Sequence, residues 1–229
     1  MTLVLDPTTL SPAITGWLGA HVAFRRDADA LVVAVNALEP GDYVGAGRLA
    51  DAFAVTVQML HEHHETEDEL IFPELIERAP AFAGVVMTLS LEHVDVDDVV
   101  DDIKRDLAIL AAGTARAFEV HERLTQQVET FNTLIDLHIE AEEAHALPLL
   151  QRYFSTEEID AVGDAHFAKN ADKLNVMIPW AATALPTEAT TQLLAGMPPA
   201  VQESFSKWSL AFQQRFAPLL GANAHAVAA

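Results

Sequence analysis

Two segments of the sequence repeat one arrangement of imidazole, carboxylate and proline side chains. They read His63-x-x-x-Glu67-Asp68-x-x-x-Phe72-Pro73 and His138-x-x-x-Glu142-Glu143-x-x-x-Leu147-Pro148. Residues four apart in an α-helix share a face, with Cβ atoms about 5–6 Å apart, so each segment can offer one nitrogen and one oxygen to the same ion. Mixed imidazole and carboxylate ligands suit iron, zinc or manganese, whereas calcium and magnesium prefer oxygen alone. The repeat therefore predicts a metal site built from two helices.

A histidine followed four residues later by a carboxylate is a weak signal in so acidic a chain. Asp and Glu make up 34 of the 229 residues, so the 10 histidines should give about one or two such pairs by chance. Five such pairs occur, three of them within residues 61–68. A solvated acidic face explains any one pair, but it does not explain a second copy in the same register.

Each copy also places a proline six residues after its first glutamate. Proline lacks the N–H that would bond the carbonyl four residues earlier, so it bends or ends a helix. Apolar residues continue beyond both prolines, to Ile76 and to Tyr153. The pattern favours a bend within a longer helix just beyond the ligands, and a helix end at each proline is the alternative.

Composition restricts the classes of function. The chain is 51% hydrophobic and can bury a substantial core. Its net charge of −21 argues against nucleic acid and anionic membrane partners, which need a basic surface. The absence of cysteine excludes disulfides, iron–sulfur clusters and thiol catalysis. The first ten residues do not resemble a signal peptide and no segment reaches the length of a membrane span, so we expect a cytoplasmic protein.

Apolar periodicity predicts an almost entirely helical chain. Four long helices are expected from Pro12 to just before Glu39, from about Ala46 to Arg78, from Phe82 to Ala112, and from Thr114 to about Phe154. A capping box at 155–158 predicts a fifth helix that stops near Pro179, while residues 187–220 are ambiguous. The fold class is therefore all-α, with an up-down-up-down four-helix bundle over residues 10–155 and a helical C-terminal extension over 156–229.

The repeat extends to two further histidines. His21 and His93 each lie on an apolar stripe of the helix that precedes one of the His/Glu segments. A single histidine on such a stripe is more often a hydrogen-bonded core residue than a metal ligand. Its recurrence at the same place in both halves favours the ligand interpretation.

The set His21, His63-x-x-x-Glu67, His93 and His138-x-x-x-Glu142 resembles the hemerythrin-like (HHE cation-binding) family, particularly its actinobacterial branch, over about residues 10–155. The resemblance implies a four-helix bundle around two non-haem iron ions, for which zinc or manganese could substitute. It further implies that Glu67 and Glu142 bridge the two ions and that the histidines complete the coordination.

The third helix departs from the family pattern. Invertebrate hemerythrin has a His-x-x-x-His pair there, whereas this chain has His93-x-x-x-Asp97. Either Asp97 replaces the missing imidazole, which would favour oxidised iron and redox chemistry over reversible oxygen carriage, or a coordination position is open. His64 is a weaker substitute because it is rotated by about 100° from His63 around the helix. The predicted ligands are His21, His63, Glu67, His93, Asp97, His138 and Glu142.

The alternative di-iron architecture, the ferritin-like one, fails on symmetry. It needs Glu-x-x-His on two helices, and Glu142-x-x-His145 has only Leu70 at the matching place in the first segment. His145 is expected at the surface or outside the direct ligands, and His166 could cover one end of the bundle. The remaining histidines are expected to be solvated; they are His61, His121 and His225.

Three functional hypotheses follow. The first is a di-iron protein that binds or reacts with O2, H2O2 or NO, and as an enzyme it would be peroxidase-like, catalase-like, NO-reducing or O2-activating. The second is a sensor without catalysis, in which iron or oxygen changes what protein partner the extension contacts. The third is an acidic helical protein without metal, which leaves the duplicated segment unexplained.

Overall fold

The structure is a computed structural model that describes residues 11–195 and 197–220. Its four long antiparallel segments form the predicted bundle, and the described residues contain no strand. The all-α fold class is therefore confirmed. The bundle segments are α1 (Pro12–Ala37), α2 (Tyr43–Thr66) continued by a π-helical turn (Glu67–Ile71) and α3 (Phe72–Arg78), α4 (Ala83–Ala111) and α5 (Ala117–Tyr153).

Local signals set the ends of these helices. The Ser11 hydroxyl accepts from the Ile14 N–H at 3.2 Å and caps α1. Between α4 and α5 lies Gly113, whose φ of 74° is a left-handed conformation that favours glycine. The Ser155 and Glu158 side chains form a reciprocal capping box at the next helix.

The two prolines have different consequences. In the first segment the helix continues through Pro73, but Glu67–Ile71 adopts π-helical geometry and the Phe72 N–H bonds the Glu67 carbonyl, five residues back. In the second, α5 continues as an α-helix past Pro148 to Tyr153. Both prolines thus lie inside longer helices, and the π-turn inserts an extra residue at the predicted ligand.

The C-terminal extension differs from the sequence prediction in two places. The predicted fifth helix is interrupted at Asn170, whose backbone leaves helical geometry and whose N–H and side-chain amide both donate to the His166 carbonyl. Pro179 lies inside a helix instead of ending one. The described elements are α6 (Thr156–Lys169), a 3₁₀ turn (Ala171–Lys173), α7 (Leu174–Ala184), α8 (Thr187–Ala195) and α9 (Pro199–Leu220).

Helices α7 and α9 pack on α1 and α2. Trp180 and Phe216 are buried in the same hydrophobic core as Phe24 and Phe53, and the rings of Trp180 and Phe24 lie 4.9 Å apart. Burial of aromatic side chains contributes strongly to stability. The extension therefore shares the core of the bundle. No helix in the described part of the chain is long and apolar enough to cross a membrane.

A buried carboxylate joins the extension to the bundle. Asp27 is 1% exposed. One of its oxygens accepts from the Arg26 guanidinium, and the other accepts from the Thr56 hydroxyl and the Trp180 indole N–H, each at 2.8 Å. Burial raises the pKa of Asp27, although Arg26, Trp180 and Thr56 oppose this. The carboxylate thus depends on a donor from the extension.

We predict that Trp180→Phe lowers the free energy of unfolding by about 1–3 kcal/mol, because a buried acceptor loses a donor. Chemical denaturation of the purified variant measures this. Trp208→Phe, a change at a partly exposed residue of α9, serves as the control and should cost less. Equal losses in the two variants would contradict a specific role for the Trp180 N–H.

Candidate metal centre

Seven buried side chains meet between the four bundle segments. α1 supplies His21, α2 supplies adjacent histidines, the π-turn supplies Glu67, α4 supplies His93, and α5 supplies a His/Glu pair. None is more than 9% exposed. The seven are His21, His63, His64, Glu67, His93, His138 and Glu142.

Their ligand atoms form groups of the size that one ion needs. Within each group, one nitrogen or oxygen per residue lies within 4.8 Å of all the others. The two glutamates belong to groups on both sides of the cluster, so they are placed to contact two ions. The groups are His21, His63, Glu67 and Glu142; Glu67, His93, His138 and Glu142; and His64, His93 and His138.

Individual distances agree with shared ions. Glu142 Oε2 lies 3.2 Å from His21 Nε2, and Glu142 Oε1 lies 3.3 Å from His138 Nε2. Glu67 Oε1 lies 3.2 Å from His63 Nε2, and Glu67 Oε2 lies 3.6 Å from His93 Nε2. Ligand atoms bound about 2.1 Å from one ion are separated by about 3 Å. The glutamate oxygens are therefore spaced from the imidazole nitrogens as ligands of common ions would be.

Many of these atoms have no hydrogen-bond partner although they are buried. They are Nε2 of His21, His93 and His138, both ring nitrogens of His64, Oε2 of Glu67, and both carboxylate oxygens of Glu142. An unsatisfied buried polar group costs about 1–3 kcal/mol. Cations would satisfy the whole set at once, so the donors present fit a metal centre.

The ionisable groups of the cluster shift one another's pKa values in different directions. Burial raises the pKa of Glu67 well above its usual value, and the neighbouring Glu142 raises it further. Burial would also raise the pKa of Glu142, but the nearby imidazoles of His138 and His21 hold it well below its usual value. Burial and adjacent imidazoles keep the pKa values of His63 and His64 well below 6.5. The α2 imidazoles are therefore neutral near pH 7, the form that binds metal.

Further side chains hold the cluster in place. The Trp17 indole N–H donates to Glu67 Oε1 at 2.5 Å, and the Trp17 ring lies 4.2 Å from that of His21. The rings of Phe24 and Phe72 lie 5.2 Å from His63 and 5.9 Å from His93, respectively. Aromatic side chains thus border the cluster and limit access of water.

The structure places one predicted ligand elsewhere. Asp97 is on the surface, where its 49% exposed side chain bonds the equally exposed His61 at 3.1 Å. The fifth buried imidazole is His64, whose ring stacks on His93 at 3.8 Å. The other six predicted ligands come together. An oxidising effect of Asp97 therefore has no structural basis.

Adjacent His63 and His64 are both buried, and they belong to different groups of potential ligand atoms. Positions about 100° apart on a helix can reach different sides of the cluster. The sequence signal that identifies His64 is therefore the His-His pair itself. The sequence prediction ranked His64 lower because of its rotation from His63, although two ions were already expected.

The remaining histidines lie outside the cluster. His145 is exposed, and His121 Nε2 contacts the Val35 carbonyl at 2.9 Å. His166 Nδ1 lies 2.7 Å from the Thr66 hydroxyl, which itself donates to the Glu62 carbonyl. His166 Nδ1 therefore carries the proton. It lies beside the end of α2, and His225 lies outside the described residues.

His166 carries a prediction about pH. Burial lowers its pKa below 6.5 and outweighs the opposite effect of Glu62. Below pH 6.5 the unfolded chain binds more protons at this residue than the folded chain does, so stability falls as pH falls. Relative to His166→Gln, the wild-type free energy of unfolding should drop between pH 6.5 and 5.5 by at most about 1.4 kcal/mol. Urea denaturation across this range measures the difference, and a rise would contradict the prediction.

A helical bundle with an internal cluster of five imidazoles and two carboxylates defines a class of all-α proteins able to hold metal ions. The Hemerythrin HHE cation binding domain family matches residues 13–169. Because the match covers more than half of the chain, the protein belongs to this family. The matched region includes α6, which the sequence prediction assigned to the extension. Comparison with curated proteins and with solved structures found no match.

Proposed function

We propose that this protein is a non-haem di-iron protein that binds or reacts with O2, H2O2 or NO. The observation that supports the proposal best is the set of buried, unpartnered nitrogen and oxygen atoms directed at one another. Glu67 and Glu142 would contact both ions. His21 and His63 would hold one ion, and the other would be held by His64, His93 and His138, in accordance with the grouping of the atoms.

The chemistry of such a centre comes from the metal: two neighbouring ions can exchange electrons with a small oxidant and act as Lewis acids. The protein residues hold the donors in place and exclude water. One side of the cluster offers three imidazoles and the other only two, so an external ligand has more room beside His21 and His63. The Phe24 and Trp17 rings border this side, which suits a small, weakly polar ligand.

Metal analysis of protein purified without added metal tests the first part. We expect two irons per chain and a near-ultraviolet band from the iron pair, whereas one zinc per chain would overturn the di-iron assignment. Mixing the iron protein with O2, H2O2 or NO tests the second part. Turnover above that of the same concentration of free iron indicates an enzyme, and reversible spectral change alone indicates a carrier. If none of the three ligands produces turnover or a reversible spectral change, the proposed reactivity is rejected.

A sensory role is the second candidate, and contacts beside the cluster favour it. Lys173 donates to the buried carboxylate of Glu62 at 2.6 Å, and His166 contacts Thr66. Glu62 and Thr66 each neighbour a proposed ligand in the sequence. A shift of α2 on metal binding would therefore reach α6 and the 3₁₀ turn that precedes α7.

Hydrogen exchange of the full chain with and without iron distinguishes this role. A sensor should show altered protection in residues 156–173 when iron binds, because α6 and the following 3₁₀ turn contact α2. Unchanged protection there, with increased protection in α2 and α5, would reject sensing through the extension. A protein partner would then need another surface.

A further inference from the structure

The second carboxylate of each repeated segment contacts the lone histidine of the other half. Asp68, which follows Glu67, lies with Oδ2 at 2.9 Å from His93 Nδ1. Glu143, which follows the other glutamate, lies with Oε1 at 3.1 Å from His21 Nδ1. Each pair thus combines a carboxylate inside the cluster, Glu67 or Glu142, with an outer carboxylate, Asp68 or Glu143, that contacts the far nitrogen of a histidine ring.

These outer carboxylates are themselves held. The Ser90 hydroxyl donates to the other oxygen of Asp68 at 2.8 Å, and the Arg25 guanidinium donates to Glu143 at 2.8 Å. A carboxylate that accepts from Nδ1–H fixes the tautomer, directs the Nε2 lone pair to the ion and makes the imidazole a stronger donor.

A third outer carboxylate breaks the symmetry of the repeat. Glu92 Oε2 lies 3.0 Å from His138 Nδ1. Glu92 precedes His93, and the corresponding residue before His21 is Ala20, which has no carboxylate. Among the described residues, no outer carboxylate contacts His63 or His64. The side formed by His64, His93 and His138, here the three-imidazole position, therefore has two supported imidazoles.

The side formed by His21 and His63, here the two-imidazole position, has one supported imidazole. Its affinity for an ion is lowered further by Trp17, whose indole N–H donates to Glu67 Oε1. This oxygen lies 3.2 Å from His63 Nε2. A hydrogen bond to that oxygen draws electron density away from an ion bound there. Ligand number, imidazole support and this bond all favour the other side.

We propose that Asp68, Glu92 and Glu143 are positioning residues that make the two ion positions unequal, so that the three-imidazole position fills first and binds more tightly. This inference rests on the proposed metal centre. Asp68 and Glu92 act on the first ion, and Glu143 acts on the second. Each acts through a histidine ring.

Titration of the metal-free full chain with Co²⁺ tests the proposal. The wild type should show two steps of unequal affinity. Asp68→Asn and Glu92→Gln should each weaken the first step about 10–100-fold and change the second little, whereas Glu143→Gln should weaken only the second. Imidazole N–H resonances shifted by paramagnetic Co²⁺ locate each ion, and those of His93 and His138 should appear with the first equivalent.

The controls are Asp95→Asn on α4, the helix of Glu92, and Glu140→Gln on α5, the helix of Glu143. Both neutralise exposed carboxylates and should leave both steps unchanged. Thermal unfolding of each metal-free variant confirms that it is folded. Two equal steps in the wild type, first occupancy beside His21, or outer-carboxylate variants that behave like the controls would overturn the inference. A wild-type chain that binds no Co²⁺ would reject the metal centre itself.

Discussion

Replacing Glu142 by glutamine is expected to abolish retention of both metal ions after dialysis. Its side chain is fully buried, with one oxygen 3.2 Å from His21 Nε2 and the other 3.3 Å from His138 Nε2. A glutamine would present an NH2 group to one of these nitrogens and would remove a charge that balances the cations. Affinity should fall by more than about 100-fold, beyond the loss seen on changing residues outside the direct ligands. Metal content per chain measures the effect.

The same variant separates metal binding from folding. Metal that binds only the folded chain stabilises it by about 4 kcal/mol at 1,000 times the dissociation constant. The wild type should therefore unfold at a higher temperature when metal is added, and Glu142→Gln should not. His121→Ala is a control, since His121 contacts the Val35 carbonyl and belongs to none of the groups of potential ligands. Retention of two ions by Glu142→Gln would contradict a contribution of Glu142 to both positions.

The four bundle helices could be predicted because local signals and apolar periodicity agree. Ser11 caps α1, Gly113 lies between α4 and α5, and Ser155 opens α6 as the sequence indicates. Six of the seven cluster residues could be predicted because they recur in register in both halves. Repetition distinguishes these side chains from the many other carboxylates of an acidic chain.

The rest depends on contacts between distant parts of the chain. A proline usually signals a helix end, yet α7 continues through Pro179, next to the buried Trp180. The docking of α7 depends on Asp27, 153 residues away from Trp180, and no periodicity relates these two residues. The π-turn at Glu67 likewise has no counterpart in the second segment, although both segments carry the same proline.

The choice between His64 and Asp97 shows why spacing alone was insufficient. A carboxylate four residues after His93 satisfies the helical rule for a shared ligand face, but α4 turns Asp97 outward to His61. His64 violates the rule as a partner of His63, yet it reaches the other side of the centre. Burial of His64 and exposure of Asp97, which the spacing along one helix does not report, decide which of the two residues joins the cluster.

Replacing His64 by phenylalanine should remove about one of the two ions while making the metal-free protein more stable. The ring of His64 stacks on His93 at 3.8 Å, a contact that phenylalanine can keep. Both His64 nitrogens are buried without a partner, and each unsatisfied group costs about 1–3 kcal/mol. The free energy of unfolding without metal should therefore rise, and metal content after dialysis should fall from two ions to about one.

The matched variant for this test is Asp97→Asn, which changes the ligand expected from spacing. It should retain both ions, because the Asp97 side chain is about half exposed and bonds His61. Opposite changes in stability and metal content are the signature of a residue kept for binding at the expense of folding. Loss of an ion in Asp97→Asn together with retention of both in His64→Phe would exchange the roles of the two residues, because the centre would then draw its missing ligand from α4 instead of α2.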